Sequence, residues 1–455
     1  MIQLILLFLG AEIIRRRWRS LCAAGIVWLL FGIALCVDAL DGTMWVRPAY
    51  FGIAMILEGL VTFLAALGSN GTARRMRLAY GGVIVGVGLL MIDAPWHNDL
   101  AIALVAGLAL VADGVWRFAS AWVVRFPGWR LAIANAVFEL LLAVVALEPW
   151  PTWYKGEVGT LAGILFIVSG VNLVRIALQL RTLPAGTPLG TVFNRGRARL
   201  MLEPIMPAVP EAGSETDDTT AAGLTVYVWT PTEGVRVPVY QSVTRYIAAR
   251  DEDGVISTGH AALGLDGDLY ISHYPAVEID RDAGNFAQAL RATTDNDVPG
   301  RFLPSYAEEA AGWCEASFRV TFKVFDAHRL RAFWQAYRQD STYNLTNRNC
   351  SSAVANALEV SVEGVLDRHR NAVPSVGKML LSPELWMAGL IRQRAMTMTW
   401  TPGLVLDYAR ALNATLSPPL QPWWVRLRDM FKAISRQYRR GHGHPGSGMA
   451  TPVGP

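Results

Sequence analysis

The chain has 455 residues, of which 52% belong to the hydrophobic set and only 17% are charged, with a mean hydropathy of +0.29. A soluble chain carries about 25% charge, so this composition excludes intrinsic disorder, a collagen-like repeat and a wholly soluble fold, and four cysteines exclude a disulfide scaffold. The net charge of +4 falls on residues 1–182, with 14 Lys+Arg against 10 Asp+Glu, whereas residues 183–455 hold 27 of each; no basic domain or RNA motif accompanies it, which argues against nucleic acid as a partner.

Met1–Ile14 is too short to cross a bilayer and lacks a basic n-region and a small-x-small cleavage site. It therefore reads as an interfacial helix and not as a cleavable leader. Six apolar runs follow, near residues 20–40, 50–69, 77–94, 100–122, 130–148 and 158–180, which reach or approach the length needed to span about 30 Å of hydrocarbon. Their loops sort by charge. One side carries Arg15, Arg16, Arg17, Arg19, Arg74, Arg75, Arg77, Arg125, Arg130, Arg175 and Arg181; the other carries mainly Asp41, Asp93, Trp96, Asp99, Trp150, Trp153 and Glu157. Arginine marks cytoplasmic loops, so the pattern predicts a multi-pass inner-membrane protein with both termini and everything after residue 182 in the cytoplasm. Cys22 and Cys36 lie within apolar runs, which fits reduced thiols.

The spans read as three repeated hairpins. Arg19-Ser20-Leu21, Arg77-Leu78 and Arg130-Leu131 each open a first helix, and Glu58-Gly59, Asp113-Gly114 and Ser169-Gly170 recur at 55–56 residue intervals in each second helix. Small residues at such steps suit close helix packing in lipid and leave oligomerisation through these helices open. This triplication resembles the HdeD-like acid-resistance membrane family over about residues 15–182, a resemblance that implies a six-helix membrane domain (1–182) without an agreed chemistry. Glu58, Asp113 and Glu139 lie inside spans, where charge is costly. The expectation is that they are paired, Asp113 by Arg117 one turn away and the others by residues such as Asn135 and Asn172.

Residues 183–224 are rich in Pro, Gly, Thr and Ala and read as a flexible linker. From Leu224 onward the pattern is that of one α+β domain over 225–415. It predicts strands at 224–230 and 235–241, a hairpin over 256–274, a polar loop over about 280–312 and a strand over 317–325. A helix capped by Asp326 follows, with Leu330, Phe333, Trp334 and Tyr337 as its buried stripe. Asp266-Gly267 between alternating strands predicts a two-residue turn. Leu263 would then face Tyr270, and His260 would face His273 with Cβ atoms about 4.5–5.5 Å apart.

Downstream, Asn349 is a candidate N-cap for a helix whose apolar face is Ala353, Val354, Ala357 and Leu358. Cys350 falls in its first turn, where helix dipole, free amides and a nearby imidazole would favour a thiolate. A thiolate beside a histidine is an activated nucleophile; a small buried hydrophobe is the other common fate of a lone cysteine.

Gly259-His260-Ala261-Ala262 through His273-Tyr274-Pro275, followed by Tyr343-x-Leu-Thr-x-x-Asn349-Cys350, resembles lecithin:retinol acyltransferase-like thiol enzymes of the permuted papain and NlpC-type superfamily. The resemblance covers about residues 225–360. It implies a permuted papain-like fold with Cys350 as nucleophile, His260 as general base and His273 orienting that base. Asp268 and Ser272 are alternatives for the third position. Asn349 and Tyr343 are candidates for oxyanion or loop support. Ser351-Ser352-Ala353 stand where that family usually carries Glu-His-Phe, so acyl-ester and amide substrates, and hydrolysis and transfer, all stay open. No metal-ligand spacing or phosphate-binding glycine loop occurs, so neither metal nor cofactor is expected.

A final segment, 416–440, predicts a basic amphipathic helix for the membrane surface, with Trp424 and Phe431 on its apolar stripe and Arg428 among its cations; residues 441–455 read as a disordered tail. The expectation is thus a membrane-anchored thiol hydrolase or acyltransferase acting near the bilayer. A peptidase or isopeptidase, and a non-enzymatic membrane stress protein with a sensor domain, are the alternatives.

Overall fold

The structure, a computed structural model, describes residues 1–41, 45–67, 71–92, 99–148, 156–184, 186–193, 223–229, 249–250, 256–257, 259–277, 279, 286–369, 373–380 and 382–417. Its contacts divide into one unit of Met1–Val46 with Asp99–Pro418 and a second of Arg47–Asn98 with Pro419–Pro455. The first nine helices are α1 (Ile2–Leu9), α2 (Ala11–Arg16), α3 (Trp18–Leu40), α4 (Pro48–Leu67), α5 (Gly71–Met91), α6 (Asp99–Val124), α7 (Trp129–Leu147), α8 (Glu157–Arg181) and α9 (Leu189–Phe193).

Among the described residues four of the six expected spans, α3, α6, α7 and α8, are long and apolar enough to cross a membrane. The apolar segments of the other two are shorter, Ala49–Phe63 in α4 and Leu78–Met91 in α5.

The helices also pair differently from the expected hairpins. Within the first unit α3 packs along α8 and α6 along α7; within the second α4 packs along α5. Small residues spaced by seven explain the pairs, because they keep one face of each helix open to a neighbouring backbone. A Cβ on Gly25 or Gly32 would stand 2.9 or 2.6 Å from the carbonyl oxygens of Gly170 and Gly163. Gly52 and Gly59 meet the carbonyls of Gly88 and Gly81 at 2.7 and 2.9 Å. Gly107 and Gly114 face Leu147 and Leu140, with the carbonyls of Ala143 and Ala136 at 3.5 and 3.4 Å. Gly59, Gly114 and Gly170, the glycines of the repeated steps, all lie in these contacts. Each repeat therefore pairs its second helix with a first helix of another repeat.

The intramembrane acids are partnered. Arg117 bonds Asp113 at 2.7 Å and Glu139 at 3.2 Å, and Tyr80 donates to Glu58 at 3.1 Å. Arg117 and Tyr80, and not Asn135 or Asn172, serve Glu139 and Glu58.

The rest of the chain builds an α+β domain. Its strands are β1 (Leu224–Trp229), β2 (Ala249–Arg250), β3 (Ile256–Ser257), β4 (His260–Leu265), β5 (Leu269–Ile271), β6 (His273–Pro275), β7 (Gly300–Phe302) and β8 (Phe318–Phe322). Its helices are α10 (Phe286–Ala289), α11 (Tyr306–Gly312), α12 (Ala327–Tyr337), α13 (Cys350–Val362), α14 (Val365–Arg368), α15 (Val376–Leu380), α16 (Pro383–Thr397) and α17 (Pro402–Leu416). An antiparallel sheet runs in the order β5-β4-β1-β8, and β6 pairs with β7 and β2 with β3. Val226, Val228, Ala261, Leu263 and Ile271 on one face join the core of α12, α13 and α17. Tyr227, Trp229, Ala262 and Tyr270 on the other pack against Leu303, Tyr306, Cys314 and Ala316. The segment expected as a polar loop over 280–312 thus contains β7 and α11. The expected strand over 235–241 lies outside the described residues.

Two boundaries move. Helix α1 is not interfacial: Leu4, Ile5, Leu6, Leu7 and Phe8 are buried in the core of the α+β domain, and Gly364 donates its amide to the Leu7 carbonyl at 3.0 Å. Gly10 and Gly364 make that approach possible. Both have positive φ, 86° and 77°, and a Cβ on Gly10 would lie 2.9 Å from the Gly364 Cα. Residues 183–193 are likewise part of this core through Leu189 and Val192, so the remainder of the expected linker begins after Phe193, outside the described residues up to 222. Buried Glu363 ties these pieces together. It accepts the amides of Ala11 and Leu189 at 3.2 and 3.0 Å and pairs with Arg329 at 3.0 Å. The segment 418–455, including Trp424, Arg428 and Phe431 of the expected surface helix, lies outside the described residues.

The domain rests on the arginine-bearing end of the helices of its own unit. Ala292 donates its amide to the Val124 carbonyl at the end of α6 at 2.6 Å. Ala292 also packs with Ala121, Val124 and Phe126.

Candidate active site

Cys350 opens α13 because Asn349 caps it. The Asn349 side chain accepts the Ser352 amide at 2.7 Å while Ser352 Oγ accepts the Asn349 amide at 2.8 Å, a reciprocal capping box. Asn349 Nδ2 in turn donates to the Leu345 carbonyl at 2.7 Å, the Trp400 carbonyl at 3.1 Å and Thr399 Oγ1 at 3.2 Å. It is a structural anchor for the turn that carries Cys350, and it ties that turn to the loop leading into α17. Replacing Asn349 by Ala should cost about 2 kcal/mol, since cap removal costs ~1–2 kcal/mol and buried carbonyls lose a donor as well. Equilibrium unfolding of the full chain checks this; an unchanged midpoint would remove the capping role.

The β-hairpin carries the correction that matters most. Asp266, Gly267 and Asp268 form a three-residue loop, with Gly267 at φ 74° and the Asp268 amide on the Leu265 carbonyl at 3.0 Å. Leu263 consequently pairs with Ile271 and Gly264 with Tyr270, one residue away from the expected register. Such a slip exchanges the faces of a strand. His260 therefore does not stand beside His273. It stacks on Tyr274 with ring centroids 4.0 Å apart, and its Nε2 lies 3.0 Å from Ser272 Oγ and 3.1 Å from Glu309 Oε1.

His273 is turned to the opposite face. Its Nε2 donates to the Ser341 carbonyl at 3.2 Å, which leaves Nδ1 to accept from the Tyr337 hydroxyl at 3.1 Å, and its ring packs on Phe302 at 4.7 Å. It holds the loop before the cysteine. Asp268 is likewise no third member, being paired with Arg331 at 2.6 Å. Tyr343 bridges to Val298 through two backbone hydrogen bonds of 2.8 and 2.9 Å and sets its ring against His273 at 5.1 Å, so it supports the loop by packing. Arg348 completes that support: its guanidinium donates to the carbonyls of Thr342, Tyr337 and Asp340.

Glu309, on α11, is the residue that sequence reasoning missed. Tyr270 donates to its Oε2 at 2.5 Å and Tyr274 to its Oε1 at 2.7 Å, so with His260 three side chains converge on one buried carboxyl group. Burial and the neighbouring Glu309 push both phenols well above their ordinary values, which keeps them protonated as donors. The available signal was Ser305-x-x-Glu308, a helix-opening pattern that the structure uses, with the Glu308 amide on Ser305 Oγ at 3.2 Å.

Burial, aided by the nearby His273, pushes His260 down to about 3. The neutral ring then donates Nε2–H to Glu309 or Ser272 and keeps Nδ1 as its basic nitrogen. Cys350 Sγ lies 3.7 Å from Ser351 Oγ, and the Ser351 hydroxyl with the backbone of Ala261 and Ser351 favours its ionised form. Burial nevertheless pushes the thiol above its ordinary value. The expected resting thiolate is thus replaced by a neutral thiol, because desolvation outweighs the helix N-terminus.

Among the described residues no group of three or more His, Cys, Asp or Glu is placed to hold a metal ion. No protein-family model, curated protein or solved structure matches the chain.

Proposed function

We propose that the chain is a membrane-bound thiol hydrolase or acyltransferase in which Cys350 is the nucleophile and His260 the general base. The observation that carries this reading is the buried imidazole of His260, held on Glu309 and Ser272 and next in sequence to Ala261, whose backbone favours the ionised form of Cys350. His260 Nδ1 takes the thiol proton as Sγ bonds to a substrate carbonyl carbon. The tetrahedral intermediate collapses to a thioester as the leaving alcohol or amine accepts the proton from His260. Water, or an acceptor hydroxyl or amine, then releases the acyl group. The amides at the start of α13 are the oxyanion donors. The attacking geometry forms as substrate binds. The arginine asymmetry supports an inner-membrane location with the domain in the cytoplasm.

The test is covalent labelling of the full chain in detergent by an acyl-ester and by a peptide-based thiol probe. Labelling should vanish in Cys350→Ala and slow about 10²–10⁴-fold in His260→Ala; preference between probes separates the acyl from the peptidase reading. The 7% exposure of Cys350 and its raised thiol favour a second reading, a non-catalytic sensor domain. Equal slow labelling by every probe, indifferent to His260, would support that one.

A further inference from the structure

Helix α16 has two apolar faces. Leu385, Ala388, Ala395 and the buried Arg392–Glu359 ion pair, 2.8 Å, face the domain core. The outward side carries Leu390, 48% exposed, with Trp386 and Met387 half-buried one turn earlier and the exposed Gln393 and Arg394 one turn later. A water-facing helix would alternate these with charge. The level of this outward face is set by α6. The Arg394 guanidinium sits 3.6 Å from the centroid of the Trp116 ring, with the Asp113 carboxylate within electrostatic reach. Trp116 lies eight residues before the end of α6, about 12 Å along the axis at 1.5 Å per residue. The outer stripe of α6 is apolar there and beyond, since Val115 just before Trp116 and Phe118 and Trp122 after it are all exposed. Helix α6 is long and apolar enough to cross a membrane, and Arg394 touches it inside that length.

We infer that α16 is a monotopic membrane element: Leu390, Met387 and Trp386 face the acyl-chain boundary of the bilayer, and Arg394 reaches down α6 to a paired position beside Asp113 and Trp116. A cation at that depth is supported by an aromatic face and a carboxylate, and in-plane helices bury one apolar face at the headgroup boundary. The domain is then seated in the membrane surface through its own fold, independently of whether Cys350 is catalytic. Thr399 and Trp400, immediately after α16, hold Asn349, so the bilayer seat and the Cys350 turn share one short stretch of chain.

The experiment is depth measurement by spin-label accessibility in the full chain, reconstituted in phosphatidylcholine–phosphatidylglycerol nanodiscs with the native cysteines replaced. Labels are placed singly at Leu390→Cys and Met387→Cys, with Leu108→Cys on the exposed side of α6 as the lipid reference and Gln339→Cys as the aqueous one. The expected result is oxygen accessibility at 387 and 390 as high as at 108, with loss of most of the collision rate with a water-soluble nickel relaxant seen at 339. Nickel accessibility at either α16 position equal to that at 339 overturns the proposal. Shielding from both relaxants also overturns it, because protein, and not lipid, would then cover the face. Two positions keep the result decisive should one variant misfold.

Discussion

A chain lacking residues 2–9 should fail to fold its α+β domain, although the strands and the cysteine helix begin more than 200 residues later. Leu4, Ile5, Leu6, Leu7 and Phe8 are all buried in the domain core. At about 1.5–3 kcal/mol for each fully buried apolar side chain, their removal costs on the order of 10 kcal/mol, comparable with the whole stability of a typical domain, about 5–15 kcal/mol. The loss includes Gln3, whose Oε1 accepts from Arg392 at 2.8 Å in the network that also joins Glu359 and the Tyr408 hydroxyl. Limited proteolysis of the membrane-extracted protein reads the outcome: the 224–416 region should be resistant in the full chain and degraded in the truncated one. A graded form uses Phe8→Ala, expected to cost about 3–5 kcal/mol. A truncated chain with unchanged resistance would show that α1 only covers a core complete without it. For the same reason a fragment beginning near residue 222 should not be a folded stand-in for the domain of the full chain.

The second large effect is acid unfolding. His260 and His273 are pushed down from an ordinary 6.5 to about 3 and about 4, in both cases chiefly by burial. Both rings are neutral in the folded chain. As pH falls below 6.5 the unfolded chain binds protons that the folded chain excludes, so stability falls. Each histidine's contribution is fully present above 6.5 and is lost as pH falls through its folded value. One pKa unit corresponds to about 1.4 kcal/mol, which makes the two rings together worth several kcal/mol between pH 6.5 and 3. Circular dichroism of the detergent-solubilised chain should show a cooperative loss in this window. His273→Gln should move the midpoint to lower pH, provided that the variant is as stable as the parent at pH 8. A midpoint unmoved in that variant would mean that carboxyl protonation alone drives the transition.

Cys350 adds a kinetic signature with the opposite sense. Its thiol is raised, so alkylation should climb only above the ordinary thiol range near 8.5. The same burial that protects His260 from protonation keeps Cys350 from ionising. Proton transfer between two neutral groups, and not a preformed ion pair, is the starting point of the proposed chemistry.

What the sequence by itself determined was local. The caps at Asp326 and Asn349, the stripe Leu330-Phe333-Trp334-Tyr337 and the strands β1 and β8 depend on neighbours a few residues away, and they fall where the spacing puts them. The recurrence of Glu58-Gly59, Asp113-Gly114 and Ser169-Gly170 was legible too, because that rhythm is a property of the sequence alone. Which helices that rhythm joins was not: Gly32 meets Gly163 and Gly59 meets Gly81 through contacts between faces that are chemically alike. The hairpin shows the limit at its smallest. Asp-Gly suits a two-residue turn and a three-residue loop alike, yet the one added residue, Asp268, decides whether His260 looks at His273 or at Ser272 and Tyr274. That choice was made by packing, since only this register turns Tyr270 and Tyr274 to Glu309 and Ile271 to the core. Glu309, α1 and Glu363 were invisible for the same reason. Burial of a carboxyl group or a short apolar helix depends on partners brought together from distant parts of the chain, and only the tertiary structure supplies them.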